Sequence, residues 1–301
     1  MTITCHLMGG LGNQLFQIFT TIAYGIKNKH SFIFLNMEFL GDGIITTKRT
    51  TYWTTLFSSL NRFLVSNYGF DNTNYNLCNM GMIYHREPQF AYSNIPFYNS
   101  NNLIKLQGYF QSPKYFNDYK DTIIRLLNIV KQRDKLLEQQ IFTHPIDWNT
   151  TIISMHFRLG DYKKIQQFHP IMPVNYYVKS IQHIKKQINN NLKPITILYF
   201  YEENETDNKI VENMIITMEK QFKNNITFQK APPNLKDWEE LLFMSNCSHH
   251  IIANSTFSWW AAYLNDSPNK IVCYPYIWFG PDNKNANTKD LFPSNWKQIV
   301  F

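Results

Sequence analysis

Apolar residues follow two alternating patterns along the second half of the chain. Mainly apolar runs of strand length occupy Thr151–Phe157 and Ile195–Phe200. Between them, apolar side chains recur at three- and four-residue spacing from Tyr177 to Ile188, which is the period of an amphipathic helix. Strands that alternate with helices favour an α/β fold, in which helices cover both faces of a parallel sheet.

The same alternation continues to the end of the chain. Further strands are predicted at three apolar runs: Ile226–Phe228, His250–Ala253 and Ile271–Tyr274. Further helices are predicted from three apolar stripes: Ile210–Phe222, Trp238–Leu242 and Phe257–Leu264. Asn254 or Ser255 can cap the last of these helices, because both side chains accept hydrogen bonds from the free N–H groups of a helix start.

The first half has a clear pattern only near its start. The elements predicted there are a strand, a glycine-rich turn, a helix and a second strand: Thr2–Leu7, Gly9–Asn13, Leu15–Ile26 and Ser31–Leu35. From Gly41 to Gln107 the chain is rich in aromatic residues, Asn and Thr, and its periodicity is weak. Short helices are expected near Trp53–Leu64 and Tyr119–Val130.

A break near Phe142–Asn149 separates the two halves. The 301 residues, of which 44% are hydrophobic, allow more than one core. We therefore expect two Rossmann-like domains that face each other across a cleft, residues 1–148 and 149–301.

The net charge of +7 suits an anionic partner, such as a nucleotide sugar, a nucleic acid or an acidic membrane surface. The charge is spread along the chain in short pairs such as Lys163-Lys164, which favours a solvated surface over a dedicated groove for polyanions. Four scattered cysteines without zinc-site spacing favour reduced thiols in an intracellular protein. With no signal-peptide pattern and no long apolar run, we expect a cytoplasmic protein, soluble or peripheral to a membrane.

The turn Gly9-Gly10-Leu11-Gly12-Asn13-Gln14 joins the first strand to the first helix. Glycines here let the backbone approach a ligand, and a helix start offers free N–H groups to an anion. The Asn13 and Gln14 amides can orient a polar substrate. No Lys-Ser/Thr follows, so this is not a Walker loop, and a tight strand–helix junction is the structural alternative.

The segment His156–Asp161 lies at the carboxyl end of a predicted strand, where open α/β sheets bind ligands. His156 and Arg158 point to the same side of that strand, with Phe157 turned away. An imidazole beside a guanidinium suits a nucleotide diphosphate, because the planar arginine fork matches phosphate oxygens. The alternative is a structural salt bridge between Arg158 and Asp161.

The segment Asn254–Trp260 stands at a predicted strand-to-helix junction. Its hydroxyls can hydrogen-bond a phosphate at the helix start, or can simply cap the helix. Trp259 and Trp260 are expected in the core. The chain has no Asp-x-Asp, HExxH or GxSxG motif, so we expect no metal. A metal-free transferase would need Arg158 and helix N-termini to stabilise a leaving diphosphate.

Several segments resemble the inverting α-1,2-fucosyltransferases, and they span almost the whole chain. The matching motifs are MGGLGNQLFQ (Met8–Gln17), LQGYFQSPKYF (Leu106–Phe116), HFRLGDY (His156–Tyr162), HPIMPVNYY (His169–Tyr177), MSNCSHHIIANSTFSWWAAYLN (Met244–Asn265) and KIVCYPYIWF (Lys270–Phe279). The resemblance implies a GT-B-type fold, GDP-fucose as co-substrate, no cofactor or metal, and inversion at the anomeric carbon. It also implies that the C-terminal domain binds GDP-fucose and the N-terminal domain binds the glycan acceptor, a terminal galactose.

The resemblance also assigns residue roles by position. Arg158 matches the arginine that binds the β-phosphate, and His156 matches a residue beside the guanosine. Asn13 matches the asparagine of the glycine turn, near the leaving group and acceptor. The donor-binding set comprises Gly10, Gly12, His156, Arg158, Glu240, Asn254, Ser255, Thr256 and Phe257. The family has a second arginine where this chain has Leu159, and an aspartate is expected where Glu240 stands.

The mechanism implied is a single displacement, in which an acceptor hydroxyl attacks the fucose as GDP leaves. Asp161 is a candidate general base, with a role as the partner of Arg158 as the alternative. Three rival functions remain: a transferase with another GDP-sugar or acceptor, a non-catalytic glycan-binding protein, and a nucleic-acid binder. The last lacks a basic aromatic motif, so no nucleic-acid partner is expected. Peripheral contact with anionic lipids is compatible with the basic charge.

Overall fold

The computed structural model describes residues 1–41, 43, 47–66, 81–99, 102–143, 146–188, 194–222 and 226–301. The chain forms two compact units. Unit 1 comprises Met1–Gln132 with Ala286–Pro293, and unit 2 comprises Arg133–Asn285 with Ser294–Phe301. The chain passes from unit 1 to unit 2 at Gln132, whereas the sequence pattern predicts a break near Phe142–Asn149, of which residues 144 and 145 lie outside the described residues.

Unit 1 is built on a parallel sheet of four strands in the order β2-β1-β8-β7. Its strands are β1 Thr2–Cys5, β2 Ser31–Phe32, β3 Phe34–Leu35, β4 Phe39–Leu40, β5 Arg49–Thr50, β6 Leu64–Val65, β7 Met82–Arg86 and β8 Leu103–Gln107. Strands β3 and β6 pair in parallel, and β4 and β5 pair antiparallel. The predicted strand Ser31–Leu35 is thus divided between two sheets.

The helices of unit 1 begin with α1, Leu11–Asn28, which starts after Gly10 and ends at Lys29 in the left-handed conformation. It buries its apolar stripe, where Phe16 and Phe19 contact Phe116. Two further helices follow: α2 Lys120–Leu126 and α3 Ile129–Thr143, the latter continuing into unit 2. The helix predicted within Trp53–Leu64 is only a 3-10 helix, Ser58–Phe63, because aromatic packing of Trp53 and Phe57 dominates this stretch.

Unit 2 contains a six-stranded parallel sheet in the order β11-β10-β9-β12-β13-β14. Its strands are β9 Thr151–His156, β10 Ile195–Phe200, β11 Ile226–Lys230, β12 His249–Ile251, β13 Val272–Pro275 and β14 Lys297–Ile299. Its helices are α4 Val174–Gln187, α5 Glu205–Gln221, α6 Asp237–Ser245 and α7 Thr256–Leu264. Taken in chain order this is the 3-2-1-4-5-6 arrangement of a Rossmann sheet, which confirms the predicted α/β class.

The buried strand β9 explains how unit 2 packs. Alternate residues Ile153, Met155 and Phe157 join one core with α4 and α5. On the opposite face of the sheet, Trp259 and Trp260 of α7 are fully buried, as expected. Both faces of β9 are buried, so the strand is mostly apolar, and its polar residues Ser154 and His156 are themselves buried.

The buried His250 shows how polar groups in this core are satisfied. Its Nδ1 lies 2.7 Å from Ser154 Oγ and its Nε2 lies 2.8 Å from Asn265 Nδ2. Asn265 donates to Nε2, so the proton resides on Nδ1 and is donated to Ser154. Burial, followed by the Lys270 charge, lowers the pKa of His250, which is therefore a neutral structural residue.

Three cysteines, Cys5, Cys247 and Cys273, are free and buried, as predicted for reduced thiols. Cys78 lies outside the described residues. Within the described ranges, no helix has the length and apolar character to span a membrane.

Candidate active site

The strand order of unit 2 reverses between β9 and β12, where the chain leaves the sheet in opposite directions. The register pairs His156 with Phe200, and Met155 with Ile251, so the carboxyl ends of β9, β10 and β12 lie side by side. Ligands of open α/β sheets bind at this kind of switch point. The candidate residues of the C-terminal half follow these strand ends or lie near them.

Arg158 is held at this edge by acidic and aromatic neighbours. Its Nη2 donates to Asp161 Oδ1 at 2.5 Å, and its Nη1 lies 3.9 Å from Glu202 Oε2. The guanidinium carbon lies 4.9 Å from the centre of the Tyr162 ring. The side chain keeps 25% of its surface exposed, so the oriented guanidinium can still reach an anionic ligand. The salt bridge with Asp161, foreseen as the structural alternative, is present.

The loop after Arg158 is fastened by Asp207, a buried carboxylate that the sequence analysis missed. Asp207 accepts hydrogen bonds from the Gly160 N–H at 3.0 Å, from Lys163 Nζ at 2.5 Å and from Asn204 Nδ2 at 2.8 Å. Burial alone would raise the pKa of Asp207, but these bonds outweigh it and lower the pKa. The Asn-x-x-Asp pattern of Asn204 and Asp207 marks a helix start, and could have indicated an anchoring role.

His156 is neutral, so the predicted imidazole beside Arg158 would contact a diphosphate by hydrogen bonding alone. Burial, and secondarily the Arg158 charge, lowers the pKa of His156 to about 3. The ring packs against Phe257 at 5.5 Å, and its Nδ1 is buried without a hydrogen-bond partner among the described residues. Phe157 points away into the opposite core, as predicted. His156 can therefore offer a hydrogen bond but no charge.

Asn254 ties three segments of unit 2 together. Its Nδ2 donates to the carbonyl oxygens of Pro170 at 3.0 Å and Trp278 at 3.2 Å. The Tyr162 hydroxyl donates to the Asn254 carbonyl at 3.1 Å. The Asn254 Oδ1 is buried and has no partner within the described part of the chain. Asn254 thus connects the Arg158 loop to the start of α7.

The start of α7 lies immediately after this asparagine. Ser255 is the N-cap, and its side chain accepts from the Phe257 N–H at 3.3 Å. Thr256 and Phe257 are the first residues of the helix and are partly exposed. Ser255 therefore caps the helix, as the structural alternative predicted. The N-terminal end of α7 nevertheless carries the positive end of the helix dipole, which favours an anion.

Glu240, in the first turn of α6, lies in an acidic neighbourhood. Burial, followed by the charges of Asp237, Glu202 and Glu203, raises the pKa of Glu240 to about 8. Glu202 also approaches Arg158, so Glu240 and Arg158 share a neighbour at the carboxyl end of β10. A carboxylate of raised pKa next to a ligand edge is a candidate for recognising a hydrogen-bond donor.

In unit 1, the glycine turn is held by amide side chains. Gly9 has φ +79, and a Cβ there would collide with Asn13 Nδ2. Gln14 is buried and donates to the carbonyl oxygens of Gly9 at 3.1 Å and Thr50 at 2.9 Å. Asn13 Oδ1 accepts from Gln111 Nε2 at 2.9 Å. Gln14 is thus a structural residue rather than a substrate contact, and Gln111 is a partner that the sequence analysis missed.

The other two glycines of this turn differ in their surroundings. Gly10 is the N-cap of α1 without a side-chain cap, and a Cβ on it would meet nothing within 4 Å. Gly12 is buried in the first turn of the helix. The backbone at Gly10 is therefore open to a ligand. Across the described ranges, no group of three or more His, Cys, Asp or Glu side chains could hold a metal ion.

An oriented arginine and a helix start at the switch point of a Rossmann sheet suit a nucleotide-linked substrate, and the protein is a glycosyltransferase. It belongs to glycosyl transferase family 11, whose sequence profile matches residues 1–300.

Two relatives from Escherichia coli share the length of the chain. The O-antigen biosynthesis glycosyltransferase WbnK is 28% identical, with 94% of this chain and 97% of the relative covered. An alpha-1,2-colitosyltransferase is 24% identical, with 99% and 98% covered. The fold resembles that of the Arabidopsis thaliana FUT1 mutant R284K in complex with GDP, at a TM-score of 0.52 and 13% identity, covering 97% of this chain and 75% of that one.

Proposed function

We propose that the protein transfers L-fucose from GDP-β-L-fucose to a glycan hydroxyl, O-2 of a terminal galactose, by a metal-independent inverting displacement. The observation that carries the proposal is Arg158 at the switch point of the unit 2 sheet, oriented by Asp161 and partly exposed. A guanidinium fixed in this way can bind the β-phosphate of a GDP-sugar and stabilise it as it leaves.

The remaining donor contacts follow from the geometry around Arg158. The start of α7, formed by Asn254, Ser255, Thr256 and Phe257, receives the diphosphate, because the positive end of the helix dipole favours an anion there. Glu240 is protonated in the free protein at neutral pH, and it gives up this proton when guanine binds, because hydrogen bonds from the N1–H and N2–H₂ groups of guanine favour the ionised carboxylate. The neutral His156 packs beside the nucleoside without adding charge.

The transfer itself is one displacement. The acceptor oxygen forms a bond to C1 of fucose, while the bond between C1 and the β-phosphate oxygen breaks and GDP leaves with the electron pair. The acceptor hydroxyl loses its proton to a base or to water. Asp161 is engaged by Arg158, which favours its role as the partner of that arginine over general-base catalysis. In unit 1, the proposed substrate contacts are Asn13, Gly10 and Gly12 of the glycine turn.

The α-1,2 linkage is supported by the colitosyltransferase named above, and a glycan acceptor by WbnK, named for O-antigen biosynthesis. The similarity to the colitosyltransferase makes colitose the second candidate sugar. A GDP-linked colitose therefore belongs in the test beside GDP-fucose.

The test measures GDP release from GDP-fucose, GDP-colitose and GDP-mannose with a panel of β-galactosides in the presence of EDTA. We expect release from GDP-fucose that depends on the acceptor and survives EDTA. Linkage analysis of the product should give an α-1,2-fucosyl galactoside. Transfer from GDP-colitose alone would replace the sugar in the proposal, and transfer that EDTA abolishes would contradict the metal-independent mechanism.

A further inference from the structure

Unit 1 contains a cavity of about 500 Å³ that the proposed donor site does not use. Its lining includes His6, Arg86, Gln89, Phe90, Gln107 and Tyr109. His6 follows β1, Arg86 ends β7 and Gln107 ends β8. The cavity therefore opens at the carboxyl ends of three neighbouring parallel strands, which is where α/β sheets bind their ligands.

One wall of the cavity is fixed by its backbone. Gly108 has φ +157, and a Cβ there would collide with Glu87. The carboxylate of Glu87 accepts the Tyr109 N–H at 2.8 Å and the Phe110 N–H at 3.0 Å. Phe110 has φ +52 and is fully buried. These two hydrogen bonds from the loop to Glu87 fix its backbone, so Tyr109 is already positioned before a ligand binds.

The chemistry of the lining indicates the kind of ligand. Arg86, Gln89 and Gln107 offer several N–H donors, and the glutamine carbonyls offer acceptors. Phe90 and Tyr109 add aromatic surface, and Tyr109 is 40% exposed. Burial, followed by the Lys105 charge, lowers the pKa of His6, so its imidazole is neutral at pH 7. Glu87 also lines the cavity, and its carboxyl group opposes the positive charge of Arg86, so the lining favours a neutral ligand with many hydroxyl groups.

We propose that this cavity binds a neutral sugar residue of the acceptor glycan, with Tyr109 against its apolar face. Hydroxyl groups both donate and accept, which matches the mixed donors and acceptors of Arg86, Gln89 and Gln107. Aromatic side chains supply the apolar contact that a sugar ring offers on its C–H face. The proposal rests on the proposed transferase function for its acceptor, and deepens it by assigning the subsite.

The experiment compares Tyr109→Ala with Tyr84→Ala. Tyr84 is a matched control, because it is 57% exposed on β7 and is not part of the cavity lining. With a β-galactoside that supports transfer, we expect Tyr109→Ala to raise the acceptor KM about tenfold. The KM for GDP-fucose should stay as in the wild type, and Tyr84→Ala should change neither value. Equal acceptor KM values for the two variants would overturn the proposal.

A second measurement separates this proposal from the transferase proposal. Saturation-transfer NMR follows the binding of lactose, methyl β-galactoside and N-acetyllactosamine to each protein without any donor. We expect binding to the wild type and to Tyr84→Ala, and its loss in Tyr109→Ala, whether or not GDP-fucose is turned over. Binding of none of these saccharides to the wild type, or equal binding to all three proteins, would contradict a sugar subsite in the cavity.

Discussion

The charge state of Glu240 depends strongly on its surroundings. Its carboxylate is shielded from water and lies close to Asp237, Glu202 and Glu203, so ionisation places a fourth negative charge in one neighbourhood. The raised pKa of about 8 follows from both effects. At neutral pH the folded protein therefore holds a proton on Glu240 that the unfolded chain releases.

This difference predicts a pH-dependent stability. The folded pKa is about 8 and the ordinary value is 4.5, so stability is lost as pH rises through this interval. Glu240→Gln removes the titrating group. We therefore expect the Tm of this variant, relative to the Tm of the wild type, to rise as the pH increases from 5 to 9. Thermal unfolding of both proteins without nucleotide checks this.

The matched control for this titration is Glu212→Gln on α5, since Glu212 is exposed. Its Tm should follow the wild type at every pH. A constant Tm difference between Glu240→Gln and the wild type across the range would show that Glu240 titrates normally.

Among the elements, the first turn of α5 has the most direct effect on the candidate site. Asp207, with its side chain 1% exposed, connects this turn to Gly160 and Lys163 in the loop that carries Arg158. A carboxylate in this position binds two donors from a neighbouring segment, whereas an amide would lose the charge that holds Lys163. The helix end also favours the negative charge of Asp207.

Asp207→Asn should therefore loosen the Arg158 loop. We expect a stability loss of about 2 kcal/mol from the weakened charged hydrogen bonds. We also expect a higher KM for GDP-fucose with an unchanged acceptor KM, which a purely structural role would not produce. Steady-state kinetics and denaturant unfolding measure the two effects.

Glu205→Gln is the control for this variant, because Glu205 stands in the same turn of α5 and its side chain is 87% exposed in a pair with Lys209. It should leave stability and both KM values close to those of the wild type. The same donor KM in the two variants would remove Asp207 from a positioning role.

The strands and helices that the sequence predicted most accurately are the long, strongly apolar ones. Ile195–Phe200 was predicted to the residue, and His250–Ala253 to within two residues, because buried parallel strands are rich in apolar residues along their whole length. The strands of unit 1 near Phe34 and Phe39 have two residues each, too short to show a period. Within the weakly periodic stretch Gly41–Gln107, residues 67–80 lie outside the residues that the structure describes.

For the whole molecule, the motifs predicted the family, and the profile match over residues 1–300 confirms it. Two compact units, each with its own parallel sheet, agree with the α/β class. The sequence did not reveal the neutral state of His156 or the anchoring by Asp207, because both depend on burial and on partners distant in the chain. Residue types indicate chemistry, whereas charge states require three-dimensional neighbours.

The central claim is that Arg158 binds and stabilises the diphosphate of a GDP-sugar during transfer. The most direct test measures acceptor-stimulated GDP release from GDP-fucose by the wild type, Arg158→Ala and the exposed control Arg125→Ala. We expect Arg158→Ala to lower kcat by about 10²–10³-fold, which is typical of losing one preorganised contact to a developing charge, and Arg125→Ala to retain full activity. Undiminished release by a folded Arg158→Ala variant would contradict it.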